Sequence, residues 1–365
     1  LFCWPRHFLT AGYSQLIQTR HSVLKSVAAS QRWNVMEKQE CKLHWRWSDA
    51  AGRQWLPWAL TACLVYFAGY AYFGQQGWGE PASSEQAIGE ASRWCERVSA
   101  GLLREPANAL SNIGFMVAGI LMLARLRRDV SIADSATQFH GASPVALLYA
   151  AATIWLGPGS MLMHGTHTAW GAWADNLSMV MYILIPWLVN ISEMGRWRLR
   201  LFFTVYAVLV VGYGLGRPLL GADLGIHLDL FSISIGLWGI SELLYRFWSP
   251  QFRWLSGFAG FAIAALFGIT PWEMLEKPYE FWWVLLFWLP GLLATQPPRG
   301  RRSYSPWYFV GVACYLIAFS IWLTGRPGHE WCRPDSWLQA HAVWHLLSAM
   351  ATGCFFIFLR TEKVK

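Results

Sequence analysis

Apolar runs long enough to cross a lipid bilayer recur from residue 55 to residue 359, and they constrain this chain more than any other feature. A bilayer core asks for about 20 apolar residues per helix. Ten such spans are expected, at 55–74, 107–126, 144–165, 174–193, 199–216, 228–247, 255–272, 279–296, 306–325 and 338–359. The fold class is therefore all-α, a polytopic transmembrane helix bundle. Several spans contain Gly or Pro, which membrane helices tolerate better than soluble ones. Composition agrees: 55% of residues are hydrophobic and 14% charged, against about 25% charged in soluble domains.

The net charge of +8 is accordingly a topology signal rather than a nucleic-acid footprint. Arg125, Arg127 and Arg128 follow the second span, Arg196, Arg198 and Arg200 the fourth, and Arg246 and Arg253 the sixth. The segment PPRGRR (297–302) follows the eighth span, and Lys363 and Lys365 the last. With ten spans, all of these lie on one side, which places both termini in the cytoplasm. The opposite loops are less basic, and EMLEKPYE (273–280) is net acidic. Residues 1–50 mix Arg, Lys, Gln, Ser and aromatics without a compact apolar core. They are expected to be a poorly ordered or non-native extension that contributes little to function.

Polar residues inside the spans are costly and mark function by default. Ser160 and His164 stand four apart, as do His341 and His345 in HAVWH. Residues at i and i+4 share a helix face, so each pair presents both side chains to one point. Asp175 opens the span after His164, and the loop assignment brings all five groups to one depth near the outer face. Three imidazoles, a carboxylate and a hydroxyl at one level point to a metal site. Three histidines leave zinc an open fourth position, the catalytic arrangement. A zinc-bound water attacking a carbonyl, a carboxylate moving its proton to the leaving amine, and a hydroxyl donating to the oxyanion make an amide hydrolase.

Other readings compete. A single histidine in a membrane helix is often an interhelical hydrogen-bonder, and facing histidines also hold b-type haem. A receptor or sensor with a structural metal is a third reading, although such a site needs ligands only and leaves Ser160 and Asp175 unused. His167, three residues past His164, falls in the loop or behind a ligand without a firm role. His227 and His329 have no partner at helical spacing, and the loop at 217–227 has no assignment.

GPGSMLMHGTHTAWGAWAD (157–175) resembles the Ser-x3-His-x10-Asp signature of the alkaline ceramidase family, and HAVWHLLSA (341–349) its C-terminal His-x3-His signature. WCERVSAGLLREPANALSN (94–112) is similar to the opening motif of that family. The resemblance covers residues 90–360 and implies a seven-helix hydrolase core, here with about three extra spans. These are one at 51–90 with its outer loop, and a two-helix insertion near 250–300 within a domain at 91–365. It implies His164, His341 and His345 as zinc ligands, Ser160 as oxyanion stabiliser and Asp175 as acid/base. The implied reaction splits the amide of a ceramide, entering from the bilayer, into a sphingoid base and a fatty acid; another N-acyl lipid is open as substrate.

Some members of that family also bind calcium through the acidic opening motif. Trp94, Glu96 and Glu105 match it here, with Asn108 one turn from Glu105, whereas Arg93 and Val98 stand where the pattern has Asp and Asn. Calcium binding and support of neighbouring helices are thus both open uses of these residues. Of the seven cysteines, Cys63, Cys314 and Cys354 lie in apolar spans as small buried hydrophobes. Cys95 and Cys332 fall in outer loops, and the resemblance implies a disulfide between them.

Overall fold

The computed structural model describes residues 54–129, 138–139, 141–266 and 268–364. The expectation for residues 1–50, with Cys3 and Cys41, lies outside them. Helix α1 (Gln54–Gly74) is followed by a long loop, then α2 (Pro106–Ser111), which runs on into α3 (Ile113–Arg128). Next come α4 (Pro144–Thr166), α5 (Ala169–Met194), α6 (Leu199–Leu220) and α7 (Leu230–Phe247). Short helices α8 (Pro250–Leu255), α9 (Ala259–Leu266), α10 (Pro271–Glu276), α11 (Pro278–Phe281) and α12 (Leu289–Leu293) precede α13 (Trp307–Thr324) and α14 (Ala340–Leu359). A two-residue ribbon joins β1 (Gly300–Arg301) to β2 (Lys363–Val364).

Among the described residues, seven helices, counting α2 and α3 as one, are long and apolar enough to cross a membrane: α1, α2–α3, α4, α5, α6, α13 and α14. The chain is an all-α polytopic bundle, as expected, and these helices cover seven of the ten expected spans. Helix α7 covers the sixth expected span and runs along α5, with Asn190 near the end of α5 meeting Ser241 and Glu242 near the end of α7. Its serines, Glu242 and Arg246 lower its hydropathy, which alone keeps it outside the seven. The spans expected at 255–272 and 279–296 are broken into short pieces. Gly268 turns the chain at φ 79°, Thr270 and Glu273 close a capping box, and prolines 271 and 278 each start a new helix. The helical runs 250–266 and 278–293 each pass through a 3-10 stretch and fall a little short of the roughly 20 residues of a standard crossing. The pieces fold instead into an antiparallel hairpin against α7, tied by Arg253 Nε donating to the Gly291 carbonyl at 2.9 Å and Trp288 Nε1 to the Trp254 carbonyl at 3.0 Å. Because the hairpin returns to where it began, α13 and α14 keep the direction that the even-numbered insertion gave them.

Helices α4 and α5 form the centre, flanked by α3, α6, α7 and α14. Ser143 caps α4 by accepting from Ala146 N, with Pro144 at its first position. Its last turn ends at His167 in the left-handed conformation (φ 50°), and Thr168 at once caps α5 by accepting from Gly171 N. The return is therefore tight. Glycines bring the two backbones together: a Cβ on Gly159 would sit 2.5 Å from Ser178 Oγ and 2.9 Å from the Ala174 carbonyl. One on Gly171 would sit 2.6 Å from the Leu162 carbonyl. Small residues at such crossings let membrane helices approach closely.

The two ends of the bundle are tied differently. At one, Glu193 binds Arg299 at 2.6 Å and Arg196 at 3.0 Å, and Arg302 binds Glu242 at 3.1 Å and Glu362 at 2.9 Å. At the other, Cys95 and Cys332 form a disulfide with Cα atoms 5.5 Å apart. Arg97 reinforces it, with its N–H on the Pro334 carbonyl at 2.9 Å and Nη2 on Asp335 at 2.8 Å. The basic loops after α5, before α13 and after α14 thus share one end.

Candidate metal centre

Helix periodicity sets one half of the site. Ser160 and His164 lie one turn apart on the inner face of α4, and His341 and His345 one turn apart at the start of α14. All four are buried. Each of the three histidines offers a ring nitrogen, and these atoms lie within 4.8 Å of one another. His164 Nε2 and His341 Nε2 are 3.1 Å apart. Among the described residues this is the one group of three such donors close enough to hold a metal ion.

The other half comes from the opening motif, and it fixes which nitrogen is bare. Glu105, just before α2, takes His164 Nδ1 on Oε2 at 2.6 Å. The same oxygen accepts from Asn108 Nδ2 at 2.9 Å, and Oε1 takes His167 Nε2 at 2.8 Å. Burial alone would push the Glu105 carboxyl up, but the imidazoles of His164 and His167 hold it below the usual carboxylate range. His345 Nδ1 faces the Asn108 carbonyl at 3.2 Å and Ser111 Oγ at 2.8 Å. Ser111 gives its own proton to that carbonyl at 2.7 Å, so both groups accept from His345. With Nδ1 protonated on His164 and His345, Nε2 of each is left as a bare donor. Such outer hydrogen bonds are what orient metal-binding histidines.

These residues fit a metal ion on the chemistry of the donor set. Bare ring nitrogens converge in a buried space, where without a cation their lone pairs repel. His341 stacks on Trp94, with ring centres 4.4 Å apart and planes at 16°, and its Nδ1 is buried without a partner. The 3.1 Å between the His164 and His341 nitrogens leaves no room for a porphyrin plane between them.

Asp175 is nearly two turns into α5 rather than at its opening, because α5 begins at Ala169. Gly159 packs against the Ala174 carbonyl and Ser178, so the adjoining Ser160 and Asp175 lie at the same level of the α4–α5 contact. The three expected histidines thus lie together, with Ser160 and Asp175 at the level where α4 packs on α5. Glu96 accepts from Ala107 N at 2.7 Å and Asn108 N at 2.8 Å, which caps α2 and holds the carbonyl that faces His345. Burial pushes the Glu96 carboxyl up, while those two N–H groups oppose the shift. His227 and His329 are exposed and outside the centre.

Spacing reveals neither His167 nor Ser111. His167 reaches Glu105 only because its left-handed backbone turns the ring back under α4, and no helical period marks such a residue. Ser111 is six residues from Glu105, and its partner lies 234 positions away.

Comparison with known proteins agrees with this geometry. Residues 90–365 match the family model described as Ceramidase, a range that holds every residue of the centre and leaves α1 outside. No curated protein matches the chain.

Proposed function

The chain belongs to the ceramidase family, and on that premise we propose that it is a zinc-dependent membrane hydrolase acting on the amide bond of ceramide or a related N-acyl lipid. The products are a free fatty acid and an amine. The observation that carries this reading is the buried trio His164, His341 and His345, with ring nitrogens within 4.8 Å of one another. These histidines would hold the zinc, which when bound supplies Lewis acidity that polarises an amide carbonyl and activates water at neutral pH.

The chain's own groups do the rest. Asp175 accepts a proton at its carboxylate as water adds and returns it to the nitrogen of the departing amine. Ser160 Oγ, one turn from His164, donates to the oxygen that gains charge in the transition state. Glu105, the Asn108 carbonyl and Ser111 hold Nδ1–H of His164 and His345, and His167 steadies Glu105 from its other side. Trp94 covers His341 and helps exclude water. Both oxygens of Glu96 and of Glu105 already accept N–H groups, which supports reading the opening motif as support for the histidines rather than as a calcium site.

The basic loops gathered at one end support a topology with both termini in the cytoplasm and the metal centre towards the outer side. The lipid would then enter from the bilayer, its amide level with the centre.

The test is release of fatty acid from fluorescent ceramide and other N-acyl lipids by detergent-solubilised protein. His341→Ala should lose both metal and activity, and Asp175→Asn should keep metal and lose at least a hundredfold in rate, within the range for general acid–base groups of about 10² to 10⁴. If wild-type protein with full metal releases no fatty acid from any N-acyl lipid, the proposal fails.

A further inference from the structure

The end of the bundle away from the metal centre contains a cavity of about 560 Å³, lined by Tyr245, Arg246, Trp248, Arg301, Arg302 and Tyr304 among others. It lies where α7 ends at Phe247 and α13 begins at Trp307, at the edge of the apolar layer. Part of its wall is the basic segment PPRGRR (297–302), which the hydrolase chemistry does not use.

Its three arginines differ. Arg302 is buried and its charge is answered: Glu242 lies at 3.1 Å, Glu362 at 2.9 Å and Asn190 Oδ1 at 2.6 Å, with the Tyr245 ring 3.8 Å from the guanidinium. That network joins α5, α7 and the C-terminal segment and is structural. Arg246 and Arg301 are exposed, and neither forms an ion pair among the described residues. Arg246 is held over the Tyr304 ring at 4.5 Å and the Phe247 ring at 5.2 Å, and the backbone of Arg301 is fixed by pairing with Lys363. Two unneutralised guanidinium groups are thus positioned in one aromatic-walled recess at the membrane boundary.

Guanidinium forks match the oxygens of a phosphate. Basic pockets between membrane helices, at one face of the bilayer, take anionic headgroups, while aromatic walls suit the apolar part of the same molecule. We propose that this cavity binds the phosphate headgroup of an anionic membrane phospholipid, one per chain, with Arg246 and Arg301 as its ligands. The lipid bridges the end of α7 to the segment leading into α13, two elements that sequence places about 55 residues apart. Its effect is on stability and does not depend on the hydrolase reading.

The test uses the full chain in detergent, titrated with dioleoyl phosphatidylglycerol, dioleoyl phosphatidylcholine or inorganic phosphate. Thermal unfolding and native mass spectrometry are the readouts. Phosphatidylglycerol should raise the Tm saturably and leave one lipid adduct per chain. Phosphatidylcholine and inorganic phosphate should do neither. In Arg246→Gln/Arg301→Gln the metal content should equal wild type and the lipid-free Tm should stay close to it, since both side chains are exposed and Arg246 loses only its ring contacts with Tyr304 and Phe247. Lipid affinity should fall about fivefold per arginine, about twenty-five-fold for both. An equal shift with phosphatidylcholine or inorganic phosphate overturns the assignment. So does a rise that never saturates, or a double variant that keeps wild-type affinity.

Discussion

Replacing Glu105 with glutamine tests the centre where its reasoning is most exposed. The carboxylate accepts three hydrogen bonds: His164 Nδ1 at 2.6 Å, His167 Nε2 at 2.8 Å and Asn108 Nδ2 at 2.9 Å. Glutamine keeps the shape but turns one acceptor into an NH2 donor. Turned towards His167, that donor meets another N–H and the bond is lost. Turned towards His164, it drives the imidazole proton from Nδ1 to Nε2, the nitrogen that must be bare. A hydrogen bond to a charged group contributes about 1.5–3 kcal/mol, and loss of an outer partner of a metal-binding histidine weakens metal binding about 10- to 100-fold. We therefore expect the metal dissociation constant of Glu105→Gln to rise about 10- to 100-fold, equivalent to about 1.4–2.7 kcal/mol. Competition against chelators of graded affinity, with metal content measured after dialysis, reads this directly. Helix content from circular dichroism should match wild type, and excess metal should restore most of the activity. An affinity within about twofold of wild type in a folded variant would refute the proposed role of Glu105 in setting the His164 tautomer.

His167→Ala removes one of the donors on Glu105 and should weaken metal binding by about tenfold, the lower end for such partners; unchanged metal affinity would leave His167 a turn residue only. Gly159→Ala places a methyl against the Ala174 carbonyl, at 2.9 Å, and should destabilise by about 1–3 kcal/mol while slowing turnover as Asp175 shifts. A variant with wild-type Tm and rate would show that the α4–α5 contact is not what sets Asp175 opposite Ser160. Cys95→Ser/Cys332→Ser opens a bridge between residues 237 positions apart and should cost about 2–4 kcal/mol of stability. Since neither sulfur is a ligand, metal stoichiometry after dialysis should stay at wild type, and loss of metal without unfolding would contradict that. Treatment of wild type with a strong chelator should abolish activity, and zinc should restore it; full activity in metal-free protein would remove the metal from the chemistry.

Local pattern carried the histidine pairs. Four-residue spacing on a helix is geometry within one turn, so His164 with Ser160 and His341 with His345 are legible in the chain before any packing is known. The loop charges, likewise local, grouped segments that the fold does gather at one end, such as those holding Arg196, Arg299 and Lys363. Hydropathy alone did not mark the breaks within 255–296, because apolar content does not register that Gly268, Pro271 and Pro278 interrupt the helix. The common depth of Asp175 and Ser160 follows from the short turn after His164, while their closeness comes from Gly159 and Gly171, which let the two helices approach.

The sequence by itself determined that this chain is a helical membrane protein, and which imidazoles share a helix face. Both follow from interactions among residues a few positions apart. Only the tertiary structure decided which nitrogen of His164 and of His345 is bare. That depends on Glu105 reaching His164 and His167 across about 60 residues, and on the Asn108 carbonyl and Ser111 reaching His345 across more than 230. A hydrogen bond needs its two atoms placed to a few tenths of an ångström, and for residues so far apart along the chain packing alone supplies that placement.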